Sequence, residues 1–182
     1  MKKFNIPDIN NPQYWDTHQT ATDFGLRQQK YAEMAGVGNT ILEVGCGLSP
    51  FLEYSRRNFS IVIGFDFSPE TLKKARELYP KAHYQLVDVN NLKDIPDKFA
   101  NVVVAGEVIE HLEDPDNFLK ELERLAETKV ILSTPILEFE DPEHLWEFDE
   151  DYFISRGYTT EVVESERFKG RKYIFACKRK QH

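Results

Sequence analysis

The ten residues ILEVGCGLSP, positions 41–50, constrain the fold of this chain more than any other segment. Ile41, Leu42 and Val44 form a short apolar run of the kind that makes a buried strand. The run breaks on Gly45-Cys46-Gly47, a turn with little side-chain bulk. Ser49-Pro50 then reads as a helix N-cap and the first helical residue. Strand, glycine turn and helix start, in that order, let a backbone approach a nucleotide-like ligand closely. Glu43, two residues ahead of the first glycine, is the detail that sorts the possible ligands.

The same alternation continues downstream. Ile61–Phe65, Val102–Ala105 and Val130–Leu132 are apolar at every position, as suits strands buried on both faces of a parallel sheet; Tyr84–Val87 is a weaker fourth. Ser68-Pro69-Glu70 opens a helix with a cap, a proline and a first-turn acid, and Leu72, Ala75 and Leu78 follow at helical spacing. Asp114-Pro115-Asp116 opens another by the same chemistry, with Phe118, Leu119, Leu122, Leu125 and Ala126 as its apolar stripe. Thr159–Val163 and Lys172–Cys177, joined through Gly170, predict a hairpin that ends the sheet with an antiparallel pair.

An open parallel sheet binds its ligand outside the carboxyl ends of the strands. Four such ends are readable: Gly45 and Gly47, Phe65-Asp66, Val87-Asp88-Val89, and Gly106-Glu107. Asp66 lies 21 residues after Gly45 at the next strand end, a spacing that suits a carboxylate accepting both ribose hydroxyls. Phe67 follows it and joins the cofactor-facing set. Asp88 can accept from an adenine amine while the Val89 amide faces a ring nitrogen.

On these residues the chain resembles the class I S-adenosylmethionine-dependent methyltransferases, over roughly residues 40–136 plus the terminal hairpin. Their first motif, an acid followed by Gly-x-Gly-x-Gly, reads here Glu43-Val44-Gly45-Cys46-Gly47-Leu48-Ser49, with Ser49 in place of the third glycine. The resemblance implies that Glu43 and the backbone of Gly45, Cys46 and Gly47 hold the methionine moiety. It also implies Asp66 on the ribose, Asp88 near adenine, and a cofactor face that includes Glu107. The expected fold is α/β: a Rossmann-like, seven-stranded, mostly parallel sheet with a C-terminal antiparallel hairpin and helices on both faces. A dinucleotide fingerprint, Gly-x-Gly-x-x-Gly, would need a glycine where Pro50 stands, and it gives no task to Asp88.

A second constellation follows the fourth strand. In GEVIEHLEDP, residues 106–115, Glu107, Glu110 and His111 stand at i, i+3 and i+4 and share a face if the stretch is helical. His144 lies beyond the fifth strand, which ends at Ser133-Thr134-Pro135. The segment resembles the ubiquinone-biosynthesis O-methyltransferases of the methyltransferase-11-like group. A similar set occurs in small-RNA 3′-terminal 2′-O-methyltransferases. Carried over, Glu107, Glu110, His111 and His144 would bind a divalent metal, with manganese, iron or cobalt suiting the mixed donors at least as well as magnesium. Without a metal, His111 or His144 is a candidate general base. The Asp/Asn-Pro-Pro-aromatic motif of nucleic-acid amino-methyltransferases is absent at Gly106-Glu107-Val108-Ile109.

Composition narrows the partners. The net charge of −8 disfavours nucleic acid, which needs concentrated positive charge. The basic groups at Arg56-Arg57, around Arg167–Lys172 and at Lys178-Arg179-Lys180 read as solvated surface. Cys46 and Cys177 have no metal-ligand spacing. Neither a signal peptide nor a membrane span is legible, so a cytoplasmic protein is expected.

The 182 residues predict a single methyltransferase domain. Residues 1–38 form a helical N-terminal cap, 39–136 the cofactor-binding core, and 137–182 the acceptor side with the hairpin. Tyr14, Trp15, Trp146, Phe148 and Phe153 are candidates to shape the acceptor pocket, with core packing the better reading for Phe153. Arg27 could pair with the cofactor carboxylate, although a solvated helix arginine is the plainer reading. The expectation is methyl transfer from S-adenosylmethionine, leaving S-adenosylhomocysteine, to a hydroxyl of a small-molecule acceptor by a monomer or homodimer. A 2′-hydroxyl at an RNA end is the enzymatic alternative. A cofactor-binding regulatory or partner subunit is the alternative of another class.

Overall fold

The computed structural model describes residues 24–136, 144–165, 167 and 169–180. Helix α1 (Phe24–Ala35) leads into β1 (Gly38–Val44), α2 (Phe51–Ser55), β2 (Phe59–Asp66), α3 (Pro69–Leu78) and β3 (His83–Leu86). Then come β4 (Ala100–Gly106), a single 3₁₀ turn (Ile109–His111), α4 (Pro115–Leu125) and β5 (Ala126–Ile136). Helix α5 (Glu150–Ile154), β6 (Thr159–Glu164) and β7 (Lys172–Arg179) close the fold.

Among the described residues seven strands form one sheet in the order β3-β2-β1-β4-β5-β7-β6. Strands β1 to β5 are parallel, and β7 runs antiparallel to both β5 and β6. The expected mostly parallel sheet with its antiparallel end is therefore present. The order reverses between β1 and β4, which opens the crevice where such a sheet takes a ligand.

The central strands are buried on both faces because their residues are apolar at successive positions. In β1, Ile41 packs on one side with Tyr31, Phe51 and Val62, while Leu42 and Val44 pack on the other with Phe118, Leu122 and Phe153. The period of two sends alternate side chains to opposite layers. Helices α1 and α2 cover the first face and α4 and α5 the second.

The helix starts follow the capping chemistry in the sequence. Ser68 Oγ accepts from the Thr71 amide at 3.2 Å with Pro69 at the first helical position. Asp114 Oδ1 accepts from the Asn117 amide at 2.9 Å with Pro115 next. Before α2 the expectation shifts by one residue. Pro50 is the cap and Phe51 the first helical residue, while Ser49 Oγ accepts from the Phe51 amide at 3.2 Å.

Three packing expectations are corrected. Ala126 does not continue the α4 stripe; its backbone is extended and it starts β5. Leu78, in the last turn of α3, is exposed. The basic tail is engaged rather than simply solvated: Lys178 Nζ lies 2.9 Å from Glu123 Oε2, and Lys180 Nζ donates to the carbonyls of Glu123 and Ala126 at 2.9 Å. Lys180 thereby satisfies the C-terminal end of α4, where carbonyls carry partial negative charge. Tyr14 and Trp15 lie outside the described residues.

Candidate active site

The turn after β1 is held by its neighbour strand. The amides of Gly45 and Cys46 both donate to the Phe65 carbonyl, at 2.8 and 2.9 Å. Gly45 and Gly47 have φ of +71° and +50°, the left-handed region that favours glycine. Space matters as well as conformation, since a Cβ on Gly45 would lie 2.5 Å from Val108 Cγ2. The turn that follows β4 therefore packs directly on the glycine turn. Cys46 sends its sulfur inward against Gly64, so only its backbone is available at the crevice.

Asp66, at the end of β2, is buried. Its Oδ2 accepts the Gly47 amide at 2.9 Å and its Oδ1 the Ser68 amide at 3.0 Å. Burial raises its pKa, and hydrogen bonds from the Ser68, Gly47 and Phe67 amides oppose the rise. Phe67 beside it is half exposed. After β3, Asp88 is exposed and its Oδ1 accepts the Asn90 amide at 2.9 Å, while Val89 is buried.

Glu43 is 3% exposed, and its Oε2 has no hydrogen-bond partner. Burial pushes its pKa up to about 8, opposed by the Ser49 hydroxyl and Arg27 and reinforced by Asp66. Arg27 corrects the plainer reading of a solvated arginine, because it is 6% exposed on the inner face of α1. Its Nη1 lies 3.8 Å from Glu107 Oε2.

The segment after β4 is not an α-helix. Glu107 has φ of +58°, and only Ile109–His111 form one 3₁₀ turn. Glu107 consequently departs from the shared face expected of it. Its Oε1 accepts from Ser133 Oγ at 2.7 Å, and its Oε2 faces Arg27. Glu110, His111 and His144 do come together, with one candidate ligand atom from each within 4.8 Å of the others. The two imidazoles meet edge to face with ring centroids 4.8 Å apart. The Leu145 amide donates to the Glu110 carbonyl at 2.8 Å, and Trp146 Nε1 donates to the Leu112 carbonyl at 2.8 Å. These two bonds tie the His144 segment to the post-β4 turn.

Glu110 is fully buried, and neither carboxyl oxygen has a hydrogen-bond partner of ordinary geometry. Burial drives its pKa well above the usual carboxyl range and the Glu107 charge adds to that, while the neighbouring Thr134 opposes it. Among the acceptor-side candidates, Phe148 and Phe153 belong to the core and Trp146 is exposed.

Two participants escaped the reading of the sequence. Tyr31 and Ser133 are both buried and hydrogen-bonded to each other at 2.6 Å. Their signals are visible in retrospect. Tyr31 stands four residues after Arg27 on one helix face, and Ser133-Thr134 interrupt an apolar strand at its carboxyl end.

A glycine turn at a β1/β4 switch point, with acids at three neighbouring strand ends, defines the class I S-adenosylmethionine-dependent methyltransferase fold. A family model described as a methyltransferase domain matches residues 42–133, and the chain belongs to that family. A Mycobacterium tuberculosis protein named a probable S-adenosylmethionine-dependent methyltransferase is 29% identical over 134 residues, covering 71% of this chain and 46% of the relative. A ubiquinone biosynthesis O-methyltransferase of Psychrobacter cryohalolentis is 34% identical over 93 residues, covering 48% of this chain and 36% of the relative. The chain thus spans less than half the length of these two curated relatives. The crystal structure of a SAM-dependent methyltransferase from Aquifex aeolicus shares the fold, with a TM-score of 0.60 at 20% identity, over 85% of this chain and 89% of that one. No described helix is long and apolar enough to cross a membrane.

Proposed function

We propose that this chain transfers a methyl group from S-adenosylmethionine to a hydroxyl of a small molecule. The observation that carries the reading is the convergence of Glu110, His111 and His144 beside the cofactor half of the crevice. The resemblance to ubiquinone biosynthesis O-methyltransferases supports a hydroxyl acceptor, and the net charge of −8 argues against an RNA end.

The residues fit the cofactor. Its amino-acid end carries an ammonium and a carboxylate. Glu43, with a buried oxygen lacking a partner, and Glu107 complement the first, and Arg27 complements the second. Asp66 holds the Gly47 and Ser68 amides with one oxygen each, and the roughly four lone-pair sites of a carboxylate leave it room to accept from the ribose as well. Asp88 and the Val89 amide take the adenine edge, with Phe67 presenting an apolar face beside them. The cofactor supplies an electrophilic methyl on sulfur. The protein aligns the acceptor oxygen with that methyl, excludes water and holds the acceptor's proton. His111 is exposed and suits that last task, with His144 packed against it.

A divalent metal is the second reading, favoured by the same cluster. Glu110, His111 and His144 would hold it, and it would lower the pKa of a bound hydroxyl. Two ligands about 2.1 Å from one ion lie no more than about 4.2 Å apart, so the cluster, now within 4.8 Å, would draw in slightly. Glu107 turns toward Ser133 and Arg27 and lies outside this set.

The test is radiolabelled methyl transfer to a panel of small hydroxyl compounds, with and without chelator. His111→Gln is expected to lower kcat by about 10²-fold or more and to leave S-adenosylhomocysteine affinity within about threefold. Unchanged kcat in both His111→Gln and His144→Gln would refute the imidazole role. Activity abolished by chelator and restored by manganese would favour the metal.

A further inference from the structure

Helix α1 buries two polar side chains, one turn apart, beside the carboxyl ends of β4 and β5. Tyr31 is the second. Its ring packs edge-on against Phe51 and Phe175, with centroids 5.4 and 5.8 Å away. Its hydroxyl lies 2.6 Å from Ser133 Oγ, which lies 2.7 Å from Glu107 Oε1. A carboxylate can only accept, so the single Ser133 proton goes to Glu107. Tyr31 must then donate to Ser133, which gives the chain of bonds one direction, from α1 through β5 to the end of β4.

Glu107 is shaped by the same contacts. Its backbone is left-handed, and its amide donates to the Ser133 carbonyl at 3.0 Å. A non-glycine residue keeps such a conformation when its surroundings over-determine it, and these positions cluster at functional sites. Gly106 leaves the space the tyrosine needs, since a Cβ there would lie 2.0 Å from the Tyr31 hydroxyl oxygen. The free edge of the Glu107 carboxylate faces Arg27.

We propose that Tyr31 is a positioning residue for the amino-acid end of the cofactor: acting through Ser133, it aims the Glu107 carboxylate and couples the docking of α1 to cofactor binding. The proposal rests on the reading of this crevice as the S-adenosylmethionine site.

The experiment is calorimetric titration of the full chain with S-adenosylhomocysteine and with 5′-methylthioadenosine, which lacks the amino-acid end. Tyr31→Phe removes the donor and keeps the ring; Ser133→Ala breaks the relay in its middle. Each is expected to weaken S-adenosylhomocysteine about 5- to 10-fold and to leave methylthioadenosine within about twofold. In a Glu107→Gln background Tyr31→Phe is expected to add less than about twofold, because the two act as one unit. Equal losses for both ligands would mean general loosening of the fold and would overturn the proposal. So would unchanged affinity in both variants, or a full additional loss on top of Glu107→Gln. If Tyr31→Phe does not fold, Ser133→Ala decides alone. Failure of the unmodified chain to bind either ligand would instead remove the cofactor reading, and the relay with it.

Discussion

Asp66 Oδ2 accepts the amide of Gly47 across the crevice floor at 2.9 Å, while its other oxygen accepts Ser68 at 3.0 Å. The acid that suits a ribose is therefore also the joint between the glycine turn and the start of α3. Asp66→Ala should act twice. Two buried amides lose their acceptor, which should destabilise the fold by about 2–4 kcal/mol. S-adenosylhomocysteine binding should fall by at least about tenfold. Thermal denaturation and calorimetry on the same variant separate the two effects. Binding at full strength would remove Asp66 from the ribose.

Gly45 faces a steric and a conformational demand at once. Gly45→Ala places a methyl 2.5 Å from Val108 Cγ2 in a backbone with φ of +71°. A loss of about 2–3 kcal/mol is expected in denaturant unfolding. Adding Val108→Ala should return the steric share alone, leaving the double variant still weaker than the unmodified chain. Full recovery would show that the left-handed backbone contributes nothing.

The pH dependence of stability should carry the mark of Glu43. Its ordinary pKa of 4.5 rises to about 8 in the fold because burial penalises the carboxylate. A raised acid pKa means that the folded chain binds the proton more tightly than the unfolded one. The stability this contributes is complete below about pH 4.5 and is lost as pH climbs through about 8, by about 1.4 kcal/mol per unit. Glu43→Gln should flatten that part of the profile and gain on the unmodified chain between pH 5 and pH 8.5 (roughly the window of the shift). A Tm difference independent of pH would contradict the assignment. Binding of an ammonium beside Glu43 should also release a proton near neutral pH, detectable by calorimetry in buffers of different ionisation enthalpy.

Glu110 separates the two readings of the histidine cluster. As a neutral buried carboxyl it should be replaceable by Gln with Tm unchanged or raised. As a metal ligand it should make stability depend on manganese, by about 2.7 kcal/mol at a hundred times Kd. Thermal denaturation of the unmodified chain and Glu110→Gln, with and without manganese, decides between them. A manganese shift seen only with Glu110 present supports the metal. No shift in either leaves the imidazole base.

Much of the fold was legible because its signals are local. Val102–Ala105 and Val130–Leu132 are apolar at successive positions, the pattern of a strand covered on both faces. Ser68-Pro69 and Asp114-Pro115 announce helices through bonds spanning three residues. Misreadings fell where a local rule met a tertiary contact. Glu107 follows helical spacing from Glu110 and His111, yet its backbone turns left-handed because Ser133 holds it by both amide and carboxylate. Arg27 reads as a surface helix residue and is buried because α1 packs along the face of β4 and β5.

The sequence alone determined the strand order's raw material, the glycine turn and the acids at the strand ends, since each depends on residues within a few positions of one another. Tertiary structure decided which polar groups share the crevice. The Tyr31–Ser133 bond spans 102 residues and the Ser133–Glu107 bond 26. Only the closing of β4 against β5, with α1 laid over both, brings those side chains within hydrogen-bond distance. No periodicity records such a meeting, because the energy that selects it comes from burying the whole sheet.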